Sequence, residues 1–191
     1  MAEPAAIALA EDEADSPPPI DGGDPPEVSL QNPNHYAGLG LRGLRRFLAP
    51  LLAEVAPAAS SFTVRFTSDR HMAELNRRFR HKEGATDVLS FPGDLDASAA
   101  TAAPFPGEDE DEAHLGDVVI AVPWARRQAR RHGHDLAREV RVLVLHGALH
   151  CLGYDHETDD GTMERLEDEL RGRFLAEEGS AEAPLAGGAD E

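Results

Sequence analysis

The chain has 191 residues, with 18 basic against 36 acidic side chains and a formal net charge of −18. That length suffices for one domain with a real core, and a polyanion of this kind, taken whole, is a poor partner for nucleic acid because phosphate repels carboxylate. The single cysteine, Cys151, excludes an intrachain disulfide and fits a reducing compartment.

The acid is unevenly spread. Residues 1–30 hold eight acids, 94–112 seven and 176–191 five, and none of these segments contains a Lys or Arg. The remainder carries 16 acids against all 18 bases, so the body is slightly basic and the acid sits in appendages. Residues 1–25 and 177–191 have too few large apolar groups to offset the entropy of ordering, and they are expected to be disordered acidic tails. Residues 94–112 have a similar composition and are expected to form an acidic loop inserted into a domain spanning 26–176. The N-terminal apolar run AAIALA follows no basic segment and is too short for a signal or a membrane span. A cytoplasmic protein without a membrane partner is expected.

Within 26–176 the elements alternate. EVSLQN (27–32) reads as a strand. GLRGLRRFLAPLLAEVA (40–56) spaces its leucines as a helix, with Pro50 predicting a kink or break. SFTVRFTS (61–68) alternates as a half-buried strand. Ser68 offers an N-cap to a helix over 69–79, with Met72, Leu75 and Phe79 inward. TDVLSFP (86–92) and LGDVVIAV (115–122) read as strands. Pro123 opens a helix through about Arg131. Residues 136–152 predict a long helix ended by Gly153 in a left-handed cap, and 159–175 a last helix. Strands grouped early and helices late indicate a single α+β domain, a mixed sheet covered by helices.

HGALHCLGYDH (146–156) carries the chemistry. His146 and His150 are four apart on a helix, so their rings share one face about a turn apart, the geometry of helical zinc-ligand pairs. The turn at Gly153 allows His156 to supply a third nitrogen. Three imidazoles leave a fourth position open, the form of a catalytic site. The spacing H-x-x-x-H-x-x-G-x-x-H outweighs the alternative of unliganded histidines. His114 is expected to be a polar surface residue, and Cys151 a small buried one. Gly147 stands where a zinc protease of this spacing carries its glutamate, which argues against peptide hydrolysis by that route. Asp155 and Glu157 flank His156 as solvated carboxylates or as partners orienting the imidazoles.

This motif resembles the signature of the YbeY family, bacterial rRNA maturation factors described as single-strand-specific endoribonucleases. LNRRFRHKEGATDVLSFPGD (75–94), LGDVVIAV, EVRVLVLHGALH and MERLEDEL resemble further parts of the family pattern, so the likeness spans roughly 27–175. It implies an α+β domain with one histidine-bound metal per chain, usually taken as Zn2+. It also implies a metal-dependent endoribonuclease acting in late-stage 70S ribosome quality control and in maturation of the 3′ end of 16S rRNA. The implied partners are single-stranded RNA, rRNA and the ribosome, with ribosomal proteins or assembly GTPases beside them; DNA is not among them. The family's functional arginine maps onto Arg80, where a guanidinium can bind phosphate or offset charge in the transition state; the structural alternative is a helix cap or a pair with Asp87. Arg77, Arg78, Arg126 and Arg130 are candidate RNA contacts, against the alternative of a solvated helix face. The rival readings are a non-catalytic ribosome-assembly factor with a structural metal and a zinc metalloprotease with a displaced glutamate.

Overall fold

Strand-forming stretches separated by helices favour parallel pairing, because each crossover returns the chain to the end of the sheet where the previous strand began. In the computed structural model, which describes residues 26–95, 113–156 and 158–175, strands β1 (Glu27–Gln31), β2 (Ser61–Thr67), β3 (Val88–Pro92) and β4 (His114–Ala121) form one sheet in the order β1-β2-β4-β3. β1 and β4 both run parallel to β2, while β3 runs antiparallel to β4. Helices α1 (Leu41–Val55), α2 (Asp69–Leu75), α3 (Val122–His132), α4 (Leu136–Cys151) and α5 (Thr162–Phe174) complete an α+β domain with a mixed sheet. Among the described residues no helix is long and apolar enough to cross a membrane. The predicted tails at 1–25 and 177–191, residues 96–112 of the predicted insertion, and Glu157 lie outside the described residues.

Every residue of β4 is buried, as expected of a strand covered on both faces. On one face Phe62, Val64 and Phe66 of β2 and Val118 and Ile120 of β4 pack in the main core with Leu44, Leu48, Val144 and Leu145 from α1 and α4. On the other, Val119 and Ala121 meet Met72 and Leu75 of α2. The helix α4 therefore lies across the centre of the sheet, and its C-terminal turn emerges beside β3.

Several local expectations need correction. Pro50 neither ends nor splits α1. It sits on the exposed side with Arg46, whose carbonyl loses its usual donor where water can replace it. The helix expected over 69–79 stops at Leu75 and continues as a wider π-helical turn, Asn76–Arg80. That turn rotates Phe79 outward; it is 38% exposed rather than inward, with its ring edge-on to Phe91 at 5.0 Å. His114 is buried rather than a surface residue: its Nδ1 lies 2.9 Å from the Ser61 hydroxyl, tying together the starts of β2 and β4. Thr63 and Thr67, on the expected polar side of β2, are buried as well.

Candidate metal centre

Helical spacing puts His146 and His150 on one face of α4, and the way α4 ends decides what meets them. The Gly153 N–H donates to the His150 carbonyl at 3.0 Å and the Tyr154 N–H to the Leu149 carbonyl at 3.1 Å, the paired bonds of a Schellman cap. Gly153 takes φ 89°, which an L side chain rarely adopts, so glycine serves the reversal well. The returning chain brings the Tyr154 carbonyl to 2.9 Å from Nδ1 of His150 and carries His156 over the pair. Ring centroids lie 4.6 Å apart for His146 and His150, 5.7 Å for His146 and His156, and 5.4 Å for His150 and His156. One ligand nitrogen from each ring falls within 4.8 Å of the others.

The tautomers of His146 and His150 follow from their neighbours. Nδ1 of His146 faces the Glu167 carboxylate of α5 at 3.1 Å, and Nδ1 of His150 faces a carbonyl. Carboxylate and carbonyl oxygens only accept, so both Nδ1 atoms carry the proton and donate. In the neutral rings Nε2 is then bare on each side, yet the two Nε2 atoms lie 3.1 Å apart. Neutral rings cannot hydrogen-bond across that gap; a shared cation resolves it. Two nitrogens bound to one zinc at about 2.0–2.1 Å would sit roughly 3.4 Å apart in tetrahedral geometry, close to this spacing. The donor set therefore fits a metal: three imidazoles, two of them with tautomers fixed through Nδ1, one of these by a carboxylate.

Electrostatics point the same way. Burial and the neighbouring His146 hold the His150 imidazole below the ordinary histidine range, which favours the neutral, ligating form. Burial works to raise the Glu167 carboxyl, but the hydrogen bond it accepts from His146 and the Arg171 guanidinium outweigh that and keep it below the usual carboxylate range. Arg171 donates to Glu167 Oε1 at 2.6 Å. Cys151, next to His150, is pushed up to about 12 by burial, so it stays a protonated core thiol and no ligand.

The histidines open into a cavity of about 540 Å³, on whose wall Arg80, Asp87, Ser90 and Asp155 also lie. Arg80 arrives there from the π-helical turn. Asn76 Nδ2, at the start of that turn, donates to the Gly84 carbonyl at 2.9 Å and holds the following loop. Among the described residues Arg80 makes no ion pair. The alternative partner, Asp87, instead accepts from the Thr86 hydroxyl and the Val88 N–H, each at 2.9 Å. Arg77 and Arg78 are exposed on the same turn but do not line the cavity; the Arg78 guanidinium stacks 5.0 Å from the Phe79 centroid. Arg126 and Arg130 border a separate cavity of about 130 Å³ with Tyr36, away from the histidines.

Gly147 answers why no glutamate follows His146. A Cβ built there would come 2.7 and 2.8 Å from the Val118 methyls and 3.0 Å from the Ser90 hydroxyl. The glycine lets α4 press directly onto β3 and β4, leaving no room for a catalytic carboxylate.

A family model described as Endoribonuclease YbeY matches residues 43–174. The chain belongs to that family. Relatives named Endoribonuclease YbeY include one from Solibacter usitatus, 42% identical over 69% of this chain and 77% of its own length. Another, from Koribacter versatilis, is 40% identical over 72% and 80%, and one from Pseudomonas entomophila is 40% identical over 75% and 86%. A solution structure of a protein from Thermotoga maritima aligns with TM-score 0.45 and 22% identity, covering 85% of this chain and 100% of that one, a likeness too slight to weigh beside these relatives. The YbeY match includes α4, the turn to His156 and Glu167. Glu167 and the Tyr154 carbonyl were not singled out from the sequence. Glu167 lies 21 residues beyond His146, and only the packing of α5 on α4 joins them.

Proposed function

We propose that this chain is a metal-dependent endoribonuclease that cleaves single-stranded RNA. The observation that carries the reading is the pair of bare Nε2 atoms facing each other at 3.1 Å, with His156 above them and Arg80 on the wall of the same cavity. His146, His150 and His156 would hold one ion, Zn2+ by the all-imidazole donor set. Bound there, it would supply Lewis-acid polarisation of a phosphate oxygen or of water.

The protein's own groups do the rest. Arg80, which has no carboxylate partner among the described residues, can donate two parallel hydrogen bonds to phosphate oxygens and offset the charge that builds as the P–O bond breaks. Glu167 holds the His146 ring and its tautomer, and the Tyr154 carbonyl does the same for His150. A protease reading loses support, because Gly147 has no space for the glutamate that would serve a leaving amine.

Family membership supports the finer reading: the substrate is ribosomal RNA, the setting 70S quality control and maturation of the 3′ end of 16S rRNA in the cytoplasm, with ribosomal proteins or assembly GTPases as further partners. In this reading residues 26–176 are the working domain, and 1–25, 94–112 and 177–191 are acidic appendages. Arg77, Arg78, Arg126 and Arg130 are proposed as backbone contacts to RNA; the first two stand nearer the cleft by sequence.

Cleavage of a single-stranded ribosomal RNA fragment tests the proposal. Wild type is expected to cut; His150→Ala is expected to lose metal and activity. Arg80→Ala is expected to keep its metal and lose about 10²–10³-fold in rate, the usual effect of removing one group that stabilises transition-state charge. Equal cleavage by all three folded proteins would assign the activity to a contaminant and overturn the reading.

A further inference from the structure

The corner between α3 and α4 gathers a second set of ligand-type side chains. His132 ends α3, Gly133 caps it, and Asp135 caps α4 by accepting from the Arg138 N–H at 2.7 Å. This reversal brings His134 and His132 onto one carboxylate oxygen of Glu139, an early residue of α4. Nε2 of His134 lies 2.5 Å and Nδ1 of His132 3.3 Å from Glu139 Oε2. The three ligand atoms lie within 4.8 Å of one another.

Burial makes this more than a surface contact. The Glu139 side chain is 3% exposed, and a carboxylate so placed needs compensation. His134 alone supplies a strong hydrogen bond. His132 is 55% exposed, yet it turns inward to an oxygen that already has its partner, where a 3.3 Å contact adds little. Two imidazole nitrogens and a carboxylate oxygen, all within 4.8 Å of one another, are a donor set of borderline divalent cations. A cavity of about 340 Å³ beside them has room for the ion and its waters. Arg138 and Arg171 border that cavity and oppose a cation; the Glu167 carboxylate at 2.6 Å balances Arg171, while Arg138 is held by the neutral Leu175 carbonyl at 2.9 Å and keeps its charge.

We propose that His132, His134 and Glu139 form a second divalent-cation site, suited to zinc, that fastens the corner between α3 and α4. None of the three lines the cavity of His146 and His150. Glu139 precedes His146 by seven residues, about 10 Å along the helix axis, so the two sites share α4 without sharing a ligand. The role is bracing: an ion there ties the end of α3 to the helix that carries the catalytic histidines.

The test is metal stoichiometry of the full-length, chelator-stripped chain, dialysed against micromolar Zn2+ with excess Mg2+ to occupy exposed carboxylates. Wild type is expected to retain two zinc ions per chain and His132→Ala one; the exposure of His132 keeps that variant folded. His146→Ala/His150→Ala is expected to retain one. Loaded with Co2+ in place of Zn2+, that double variant should show visible d–d absorption, which adding His132→Ala abolishes. A wild type that retains one ion, or a His132→Ala variant that retains as many as wild type, overturns the site. Neither result depends on RNA cleavage, so failure of this proposal is separable from failure of the endoribonuclease reading.

Discussion

Glu167 shows how much of the centre depends on one carboxylate. It accepts from His146 on one side and from Arg171 on the other, so it fixes a tautomer while its own charge is balanced. Partners of this kind typically account for about 10–100-fold in metal affinity. Glu167→Gln is therefore expected to weaken zinc binding by that factor in a chelator competition while the histidines remain. Unchanged affinity would show that the helix alone orients His146. Arg80 differs in kind: among the described residues it bonds to none of the three histidine rings, and it reaches the cavity from another element, so its removal should separate rate from metal content. Lysine cannot replace its planar fork with a point charge.

At the scale of elements, the centre exists because three local devices agree. The Schellman cap reverses the chain onto His150, the π-helical turn delivers Arg80, and Gly147 lets α4 lie close on the sheet. The last is the easiest to perturb. Gly147→Ala places a methyl within 3.0 Å of both Val118 methyls, and overpacking of this kind costs about 1–3 kcal/mol. Urea unfolding is expected to show that loss, with a fall in activity as α4 moves away from β3; a variant as stable as wild type would mean that the helix shifts without consequence. π-helical turns recur at functional sites because one extra residue re-aims the side chains that follow. Here that residue turns Phe79 out and brings Arg80 to the cavity wall.

Across the whole molecule, the net charge of −18 and the slightly basic body describe different parts of one chain. Deleting residues 1–25 is expected to lower solubility and to leave RNA affinity at low salt unchanged; tighter binding would show instead that this acidic segment competes with RNA. The sequence carried the strands, the five helices and the three histidines, because hydrophobic period, caps and i, i+4 spacing are local signals. It did not carry the π-helical turn, whose composition is that of an ordinary helix. It also did not carry the burial of His114, nor the Glu167 contact, since both depend on elements brought together only by the fold. Pro50 misled because an exposed helix face tolerates the missing donor.

The most direct test of the central claim is metal removal and return on one sample. Wild-type protein stripped of metal should stop cleaving single-stranded ribosomal RNA and regain activity with one equivalent of Zn2+ at the histidine trio, while stripped His150→Ala stays inactive after the same addition. Cleavage that survives stripping, or that zinc restores equally to His150→Ala, would contradict the account.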